Sequence, residues 1–365
     1  MSPIQKLLIF PIDLPQAEEV ARNAKILGLQ VVGASSEASQ SHWVDKVIYL
    51  PYVTATDFPS ALTAALETHR IDQLHTDHPA VWSFLNSWRQ ELAQRNVHFN
   101  SAYPYDNLTR RYEPSFIWAE HTAEWDLFGH PEISQSVPRS DEIHKLAGLH
   151  FFYNCIPGES DDAKLATLYK LAFEIPANSD WVEIGSLYGK SAYALGWLAS
   201  RLGQHSLVCV DPWATDKTED QGQQADLINR QRTRLDTENV FNIFLANAAH
   251  LENVSHIRNT SQNAASCYRQ MSEEHQRNNR SLNNSGAQVR GQVGLLHIDG
   301  NHSYESAKLD IECWAPLMIK GGWIVMDDYR WSFGDGPKVA ADEFLESGRA
   351  DLAFAVGDTL YMRVL

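Results

Sequence analysis

Two largely apolar runs constrain the fold of this chain more than any other feature. VGLLHI at 293–298 and WIVM at 323–326 carry apolar residues on both faces, as strands do when helices cover both faces of a sheet. Asp299 follows the first run directly, and Asp327-Asp328 follow the second. Strands of this kind are typical of parallel sheets, so the sequence predicts an α/β fold whose strands end in acidic residues.

The chain is too long for one ordinary core, since domains average about 150 residues. It has 365 residues, and short apolar strands alternate with helical spacing from residue 6 onward. The sequence predicts two Rossmann-like, three-layer domains. The first covers 1–125, a connection punctuated by Pro, Gly and Ser covers 126–160, and the second domain covers 161–365.

Composition argues against several classes of partner. Lys and Arg number 30 against 46 Asp and Glu, a net charge of −16 that repels phosphate backbones and anionic lipid. The four cysteines form no C-x-x-C pair, which disfavours a disulfide framework or a thiolate zinc site. No run reaches the roughly 20 apolar residues of a membrane helix. We therefore expect a soluble, cytoplasmic protein that binds neither nucleic acid nor membrane, and homo-oligomerisation is left open.

The first domain lacks the turn that a dinucleotide requires. Its first strand is followed by Pro11-Ile12-Asp13-Leu14-Pro15, without a glycine for close approach to a pyrophosphate. Asp13, Asp77 and His78 are its suggestive strand-end residues, and capping is their expected role. The order of elements around LGLQVVGAS and DKVIYLP resembles the small domain that precedes the ATP-grasp fold. We expect a non-catalytic domain that shapes acceptor binding or assembly.

The segment GSLYGKS at 185–191 superficially suggests a nucleotide-triphosphate loop. It has three residues between its glycines where that loop has four, and Glu183 would face any phosphate unfavourably. A strand, an acid and Gly-x-x-x-Gly before a helix suit a cationic adenosine ligand, which predicts S-adenosylmethionine. We assign cofactor binding to the following residues: Glu183, Gly185, Ser186, Gly189 and, at the ribose, Asp211. The alternative is a common glycine loop with Asp211 as a helix cap.

Three carboxylates are expected to meet at the carboxyl edge of the second sheet. Asp299, Asp327 and Asp328 would repel one another unless a cation lay between them. Ligation by oxygen alone favours a hard ion such as Mg²⁺. His302, in the loop after Asp299, is a natural general base. The alternative is that the acids cap turns and His302 is a surface histidine.

These segments together resemble a known enzyme family. VEIGSLYGKSA, VCVDPW, HIDGNHSYE and GGWIVMDDY are similar to the metal-dependent sugar O-methyltransferases of macrolide biosynthesis, of the macrocin and mycinamicin type, over residues 150–365. The resemblance implies a class I methyltransferase fold with a closing antiparallel hairpin. It also implies the cofactor residues named above, a metal at Asp299, Asp327 and Asp328, and His302 as base.

The sequence thus predicts an S-adenosylmethionine- and divalent-metal-dependent O-methyltransferase, acting on a hydroxyl of a sugar or polyol-containing small molecule. A metal-independent or hydroxylase-like relative, or a non-catalytic cofactor-binding protein, remains an alternative. The polar stretch 272–292 is either a mobile lid or an inert insertion. Four aromatic residues near the site either stack on the acceptor or belong to the core: Trp213, Tyr304, Tyr329 and Trp331.

Overall fold

The computed structural model describes residues 5–127, 140–202, 205–214, 235–278 and 289–365. It divides the chain into two compact units, Met1–Pro114 and Ser115–Leu365. Each unit has its own sheet, and each is described below by itself.

The first unit contains five short strands and six helices, the last of which continues into the second unit. The strands are β1 (Lys6–Ile9), β2 (Gln30–Ser35), β3 (Lys46–Tyr49), β4 (Gln73–His75) and β5 (His98–Phe99). The helices are α1 (Pro15–Ile26), α2 (Phe58–His69), α3 (Pro79–Ser87), α4 (Arg89–Gln94), α5 (Pro104–Arg110) and α6 (Glu113–Glu124).

All neighbouring strands of the first sheet run parallel, in the order β3-β2-β1-β4-β5. Proline within the first turn begins α1, α2, α3 and α5, where its missing N–H costs nothing. Two separate apolar clusters cover the sheet, one including Leu8 and Leu62 and the other including Ile9 and Ala21. This three-layer arrangement confirms the predicted α/β class for the first unit.

The strand-end residues of the first unit bond to their own surroundings. The His78 ring accepts hydrogen bonds from the amides of Ala80 and Val81 and so caps α3, which confirms its predicted role. Asp77 Oδ2 lies 3.1 Å from His75 Nε2, and Asp13 accepts a hydrogen bond from the Ser35 hydroxyl.

In the described residues of the second unit there are seven strands and seven further α-helices. The strands are β6 (Asp180–Ile184), β7 (Leu207–Val210), β8 (Val254–Ile257), β9 (Val293–Ile298), β10 (Met318–Met326), β11 (Ala350–Val356) and β12 (Thr359–Val364). The helices are α7 (Ser140–Cys155), α8 (Asp162–Leu171), α9 (Lys190–Leu202), α10 (Thr237–Ala248), α11 (Ser261–Asn278), α12 (Tyr304–Trp314) and α13 (Gly336–Glu346).

The strand order of the second sheet is β11-β12-β10-β9-β6-β7-β8. β12 runs antiparallel to both of its neighbours, β10 and β11, and Gly357-Asp358 form the turn that joins it to β11. This is the class I methyltransferase order, and it confirms the predicted closing hairpin. The chain leaves β6 toward β7 and β8 on one side and returns to β9 and β10 on the other, so the order reverses between β6 and β9. Ligands bind at such a reversal in open α/β sheets.

The central strands are buried on both faces because their side chains alternate between two cores. Trp323 and Val325 of β10 belong to one apolar cluster, whereas Ile324 and Met326 belong to the other. Every residue of β6, β7 and β9 is buried. The apolar runs therefore reflect helices packed on both faces of the sheet.

Two segments differ in part from the sequence-based expectations. Residues 272–278 continue α11 and are not loop, while 279–288 lie outside the described residues, as does any lid there. Residues 140–155, within the predicted connection, form α7, which contributes Leu146, Leu149 and Tyr153 to the core of the second unit. Nowhere in the described parts of the chain is there a helix with both the length and the apolar character needed to cross a bilayer.

Candidate active site

The glycine loop between β6 and α9 depends on a close backbone approach. Gly185 and Gly189 have φ angles of +86° and +87°, which side chains rarely allow. A Cβ added to Gly185 would lie 1.9 Å from the Asp299 carbonyl oxygen, and one added to Gly189 would lie 3.0 Å from the Phe244 ring. Residue 185 must therefore be glycine whatever ligand binds, because the backbone of Asp299 lies against it where the strand order reverses.

Glu183 lies beneath this loop. It is fully buried on β6, where it accepts a 2.5 Å hydrogen bond from the Ser186 hydroxyl. His297 on β9 is also fully buried, and its Nδ1 lies 3.3 Å from Glu183 Oε1. Gly185 and Ser186 line the large cavity described below, with Glu183 behind the Ser186 side chain. The structure thus connects Glu183 to the loop through Ser186.

Asp211 organises the same loop from the end of β7. Its carboxylate accepts hydrogen bonds from the amides of Ser186 at 3.1 Å, Leu187 at 3.0 Å and Trp213 at 2.7 Å. Burial raises the pKa of Asp211 above its ordinary value, and the three amides oppose that rise. Asp211 therefore holds the loop in shape, and it also lines the cavity.

A cavity of about 1060 Å³ lies at this edge of the second sheet. The glycine loop and Asp211 line one part of it, and Asp299, Asp327 and Asp328 line another. Its volume is at the upper end of the range for small-molecule sites, roughly 300–1,000 Å³. The predicted cofactor loop and the predicted acid cluster thus face one common space.

The three acids follow β9 and β10, two neighbouring parallel strands. Asp299 and Asp327 are at their carboxyl ends because the strands pair in register up to Ile298 and Met326. Asp328 has a φ of +53°, a left-handed conformation that is uncommon outside glycine. The topology therefore brings the acids together, as the sequence predicts.

Lys164 places a positive charge inside this cluster. It lies on α8 with 3% of its surface exposed, its ammonium contacts the Asp327 carboxylate, and it lies 3.5 Å from Asp299 Oδ2. Asp327 also accepts a 2.6 Å hydrogen bond from the Thr359 hydroxyl. Sequence reasoning missed Lys164. Its signal is that Lys164 shares one helical stripe with the buried Leu168 and Leu171.

The protonation behaviour of the cluster follows from burial and charge. Burial alone would lower the pKa of Lys164, but Asp327 and Asp299 raise it well above its ordinary value. Burial and the neighbouring Asp327 raise the pKa of Asp299 well above its usual range. Burial would raise the pKa of Asp327, but the Lys164 ammonium, His297 and a hydrogen bond with Asp299 together lower it below its ordinary value. Asp327 is therefore the ionised partner of Lys164.

His302 forms a pair with the third acid. Its Nε2 lies 2.7 Å from Asp328 Oδ2, and its ring centroid is 4.4 Å from that of Trp331. A carboxylate on one ring nitrogen orients an imidazole for proton transfer at the other, as in catalytic triads. Both residues line the cavity.

The described residues include two groups of three side chains that could hold a metal ion, and both groups contain Asp299. One group adds His297 and Asp327, and the other adds His302 and Asp328; ligand atoms lie within 4.8 Å in each. Lys164 already neutralises Asp327 in the first group. The second has two carboxylates and an imidazole facing the cavity, a donor set that suits a divalent cation. The residues present therefore fit a metal, and Asp299 and Asp328 are its best-placed carboxylates.

Asp310 is a second buried group that sequence reasoning missed. It lies on α12 with 5% of its surface exposed and lines the cavity. Burial raises its pKa to about 7, opposed by a hydrogen bond with Ser261. Its signal is a position between the buried Ala307 and Trp314 on the inner face of an amphipathic helix.

The four aromatic residues near the site have different environments. Trp213 is buried, packs against Phe241 and donates a hydrogen bond to the Leu187 carbonyl. The hydroxyls of Tyr304 and Tyr329 bond to Glu343 and Asp342 on α13. Trp331 lines the cavity beside His302. Trp331 is therefore the best-placed of the four for contact with an acceptor.

A comparison with protein families concerns the part of the second unit that contains the site. Residues 182–329 match the family model described as a methyltransferase domain, from β6 to the residue after Asp328. This part of the second unit is therefore similar to a methyltransferase domain. The match supports the predicted class I methyltransferase. The matched range contains every cofactor, metal and base residue that the sequence predicts, whereas Lys164 precedes it.

Comparisons with individual proteins add less. No curated protein matches the chain in sequence. Solved structures similar to this chain include the O-methyltransferase NovP, at 17% identity over 56% of this chain and 80% of that one, with a TM-score of 0.40. CalS11, a TDP-rhamnose 3′-O-methyltransferase of calicheamicin biosynthesis, has 14% identity over 69% and 93% of the two chains and a TM-score of 0.35.

MycE, a methyltransferase of mycinamycin biosynthesis in complex with Mg, SAH and mycinamycin VI, is a third similar structure. It has 12% identity over 65% of this chain and 60% of that one, with a TM-score of 0.38. At these identities and scores, none of the three structures says which acceptor this chain uses.

Proposed function

We propose that the methyltransferase domain transfers the methyl group of S-adenosylmethionine to a hydroxyl of a sugar or polyol-containing small molecule. One observation carries the proposal: the glycine loop and the acid cluster, which serve different chemical needs, line the same cavity. The glycine loop suits the cofactor, and the acid cluster with its histidine suits a hydroxyl acceptor.

The cofactor would lie against the glycine loop. Glu183 and Ser186 are placed to favour its positive methionine end, because the acid lies directly beneath the serine that faces the cavity. Asp211 keeps the loop amides oriented and is near enough to the cavity to meet ribose hydroxyls. A loop that is already ordered loses less conformational entropy when the cofactor binds.

Transfer to an alkyl hydroxyl needs a base, since such a hydroxyl is a poor nucleophile at neutral pH. His302 would remove the proton, and Asp328 would hold the imidazole and stabilise its charged form. Trp331 packs on the ring and limits its rotation. Asp299 and Asp328 would hold a divalent cation, Mg²⁺ in our proposal, which would supply Lewis-acid stabilisation of the negative charge that develops on the acceptor oxygen.

Metal-independent methyl transfer is the second candidate, and a specific observation favours it. The Lys164 ammonium already stands between Asp299 and Asp327, so the cluster does not lack a cation. In that case His302 and Asp328 would suffice as base and orienting acid.

A methyl-transfer screen distinguishes these candidates. The full chain is incubated with isotopically labelled S-adenosylmethionine and a panel of glycosides and polyols, with Mg²⁺ or with excess chelator, and products are identified by mass spectrometry. Labelled ethers formed only with the metal support the proposal, and equal yields in chelator support the metal-independent candidate. Transfer to nitrogen or carbon acceptors alone would contradict O-methylation, and failure to bind the cofactor in calorimetry would contradict both candidates.

A further inference from the structure

Lys164 is a buried charge that the proposed transfer does not itself use. Its ammonium is enclosed on α8 and contacts the carboxylate of Asp327, with Asp299 3.5 Å away. Asp327 is further tied by the Thr359 hydroxyl. With both partners in place, the Asp327 carboxylate has little capacity to coordinate a metal ion as well.

The charges of the cluster balance for a single divalent ion. A bound metal requires ionised carboxylate ligands. Asp299, Asp327 and Asp328 then carry −3, and Lys164 adds +1, which leaves −2 when the imidazoles are neutral. Asp358 is exposed at the rim of the cavity, where water screens its charge. The net charge of these four side chains thus equals that of one divalent cation with opposite sign.

We propose that Lys164 is a positioning residue that withholds Asp327 from metal ligation and sets the cluster to accept one divalent cation through Asp299 and Asp328. The inference rests on the proposed function, since it concerns the cation that would assist methyl transfer. It also distinguishes the two groups of potential ligands that share Asp299, since only one of them contains Asp327, the carboxylate that the Lys164 ammonium contacts directly.

The test uses a series of variants that differ in the net charge of the cluster, and the measured quantity is their affinity for a metal ion. Mn²⁺ affinity of the full chain is measured at fixed pH by the electron paramagnetic resonance signal of free Mn²⁺, which does not depend on activity. Asp327→Asn leaves a net charge of −1, the wild type −2 and Lys164→Met −3, while the double variant Lys164→Met/Asp327→Asn returns to −2. Each unit of enclosed charge should change the dissociation constant by about tenfold.

The expected order is tightest binding in Lys164→Met, equal binding within about threefold in the wild type and the double variant, and weakest binding in Asp327→Asn. Lys170→Met is the matched control. Lys170 lies on the same helix with 6% of its surface exposed, but its ammonium bonds to the Ala123 carbonyl. Its loss should leave Mn²⁺ affinity unchanged. If Lys164→Met does not fold, the double variant against Asp327→Asn still gives a predicted tenfold difference.

Other outcomes separate this inference from the proposed function. Lys164→Met with the Mn²⁺ affinity of Lys170→Met, or a double variant that binds as weakly as Asp327→Asn, would overturn the role of Lys164. A wild type that binds no Mn²⁺ but methylates a hydroxyl in chelator would also overturn it while leaving methyl transfer intact. The predicted order without any methyl transfer would support the role of Lys164 and contradict the proposed function.

Discussion

Each unit carries a histidine–aspartate pair at the carboxyl edge of its parallel sheet. In the first unit His75 Nε2 lies 3.1 Å from Asp77 Oδ2, and in the second His302 Nε2 lies 2.7 Å from Asp328 Oδ2. The other nitrogen of His75 lies 3.2 Å from the Ser101 hydroxyl, so that pair is part of a short local network. The pair in the second unit lines a cavity of about 1060 Å³ and has Asp299 as a neighbour.

The difference shows that a strand-end pair does not by itself make a site. Within the described residues, both groups of three potential metal ligands lie in the second unit. The sheet edge of the second unit differs because buried charged groups lie there beside a cavity large enough for ligands. The following variants test whether this distinction governs function.

The largest difference between the two units is expected when His302 and His75 are each replaced by alanine. His302→Ala should lower the turnover number by about 10²–10⁴, because a general base is lost, while cofactor affinity stays near that of the wild type. His75→Ala should change turnover by less than about twofold, since its partners lie in the first unit. Steady-state kinetics with a saturating acceptor checks both. Equal losses in the two variants would remove the distinction between the pairs.

Stability should respond to Asp310 in a pH-dependent way. The folded pKa of about 7 exceeds the ordinary value of 3.8, so ionisation of Asp310 in the folded protein costs stability as pH rises from about 4 through about 7. Asp310→Asn removes that cost. Its gain in unfolding free energy over the wild type should increase by about 2–3 kcal/mol between pH 5 and pH 8. Urea denaturation at the two pH values measures it, and a pH-independent difference would contradict the buried, protonated Asp310.

A smaller difference between the two sheet edges is expected when Asp211 and Asp13 are each replaced by asparagine. Asp211→Asn should weaken binding of S-adenosylhomocysteine about ten- to a hundredfold, because charge-assisted bonds to the loop amides are lost. Asp13 bonds to Ser35 in the first unit, and Asp13→Asn should leave that affinity unchanged. Isothermal titration calorimetry compares them. An unchanged affinity in Asp211→Asn would place the cofactor elsewhere.

The smallest effects concern two aromatic residues near the acid cluster. Trp331→Ala should raise the Michaelis constant for the acceptor by about three- to tenfold, since an aromatic face of the cavity is lost. Tyr329→Phe should leave it within about twofold, because the Tyr329 hydroxyl bonds to Asp342 on α13. The reverse order of effects would show that the acceptor lies on the α13 side.

The sequence was sufficient to predict the residues that end strands. Apolar runs followed by acids locate Asp299, Asp327 and Asp328, and parallel strands bring their carboxyl ends to one edge. The class I fold follows from the same pattern and from the terminal hairpin. The first unit's resemblance to the domain preceding the ATP-grasp fold, and its accessory role, stay predictions.

The missed residues belong to helices and strands and do not follow them directly. Whether Lys164 meets Asp327 depends on how α8 is rotated and where it docks, which the local pattern does not specify. The same holds for Asp310 on α12 and for His297 on the buried strand β9. A charged residue on an otherwise apolar face of a helix indicates that a charge is buried, but it does not indicate which residue is its partner.

Gly185 has a consequence for engineering this enzyme. A side chain at position 185 would collide with the Asp299 carbonyl before it reached any ligand. The loop after β6 and the loop after β9 can therefore keep this close contact only with glycine at position 185. Activity lost on substitution of Gly185 would therefore not by itself indicate a cofactor defect. In a library built to change the acceptor, position 331 is a candidate for variation because its side chain lines the cavity, whereas position 185 allows variation only if the backbone after β9 changes with it.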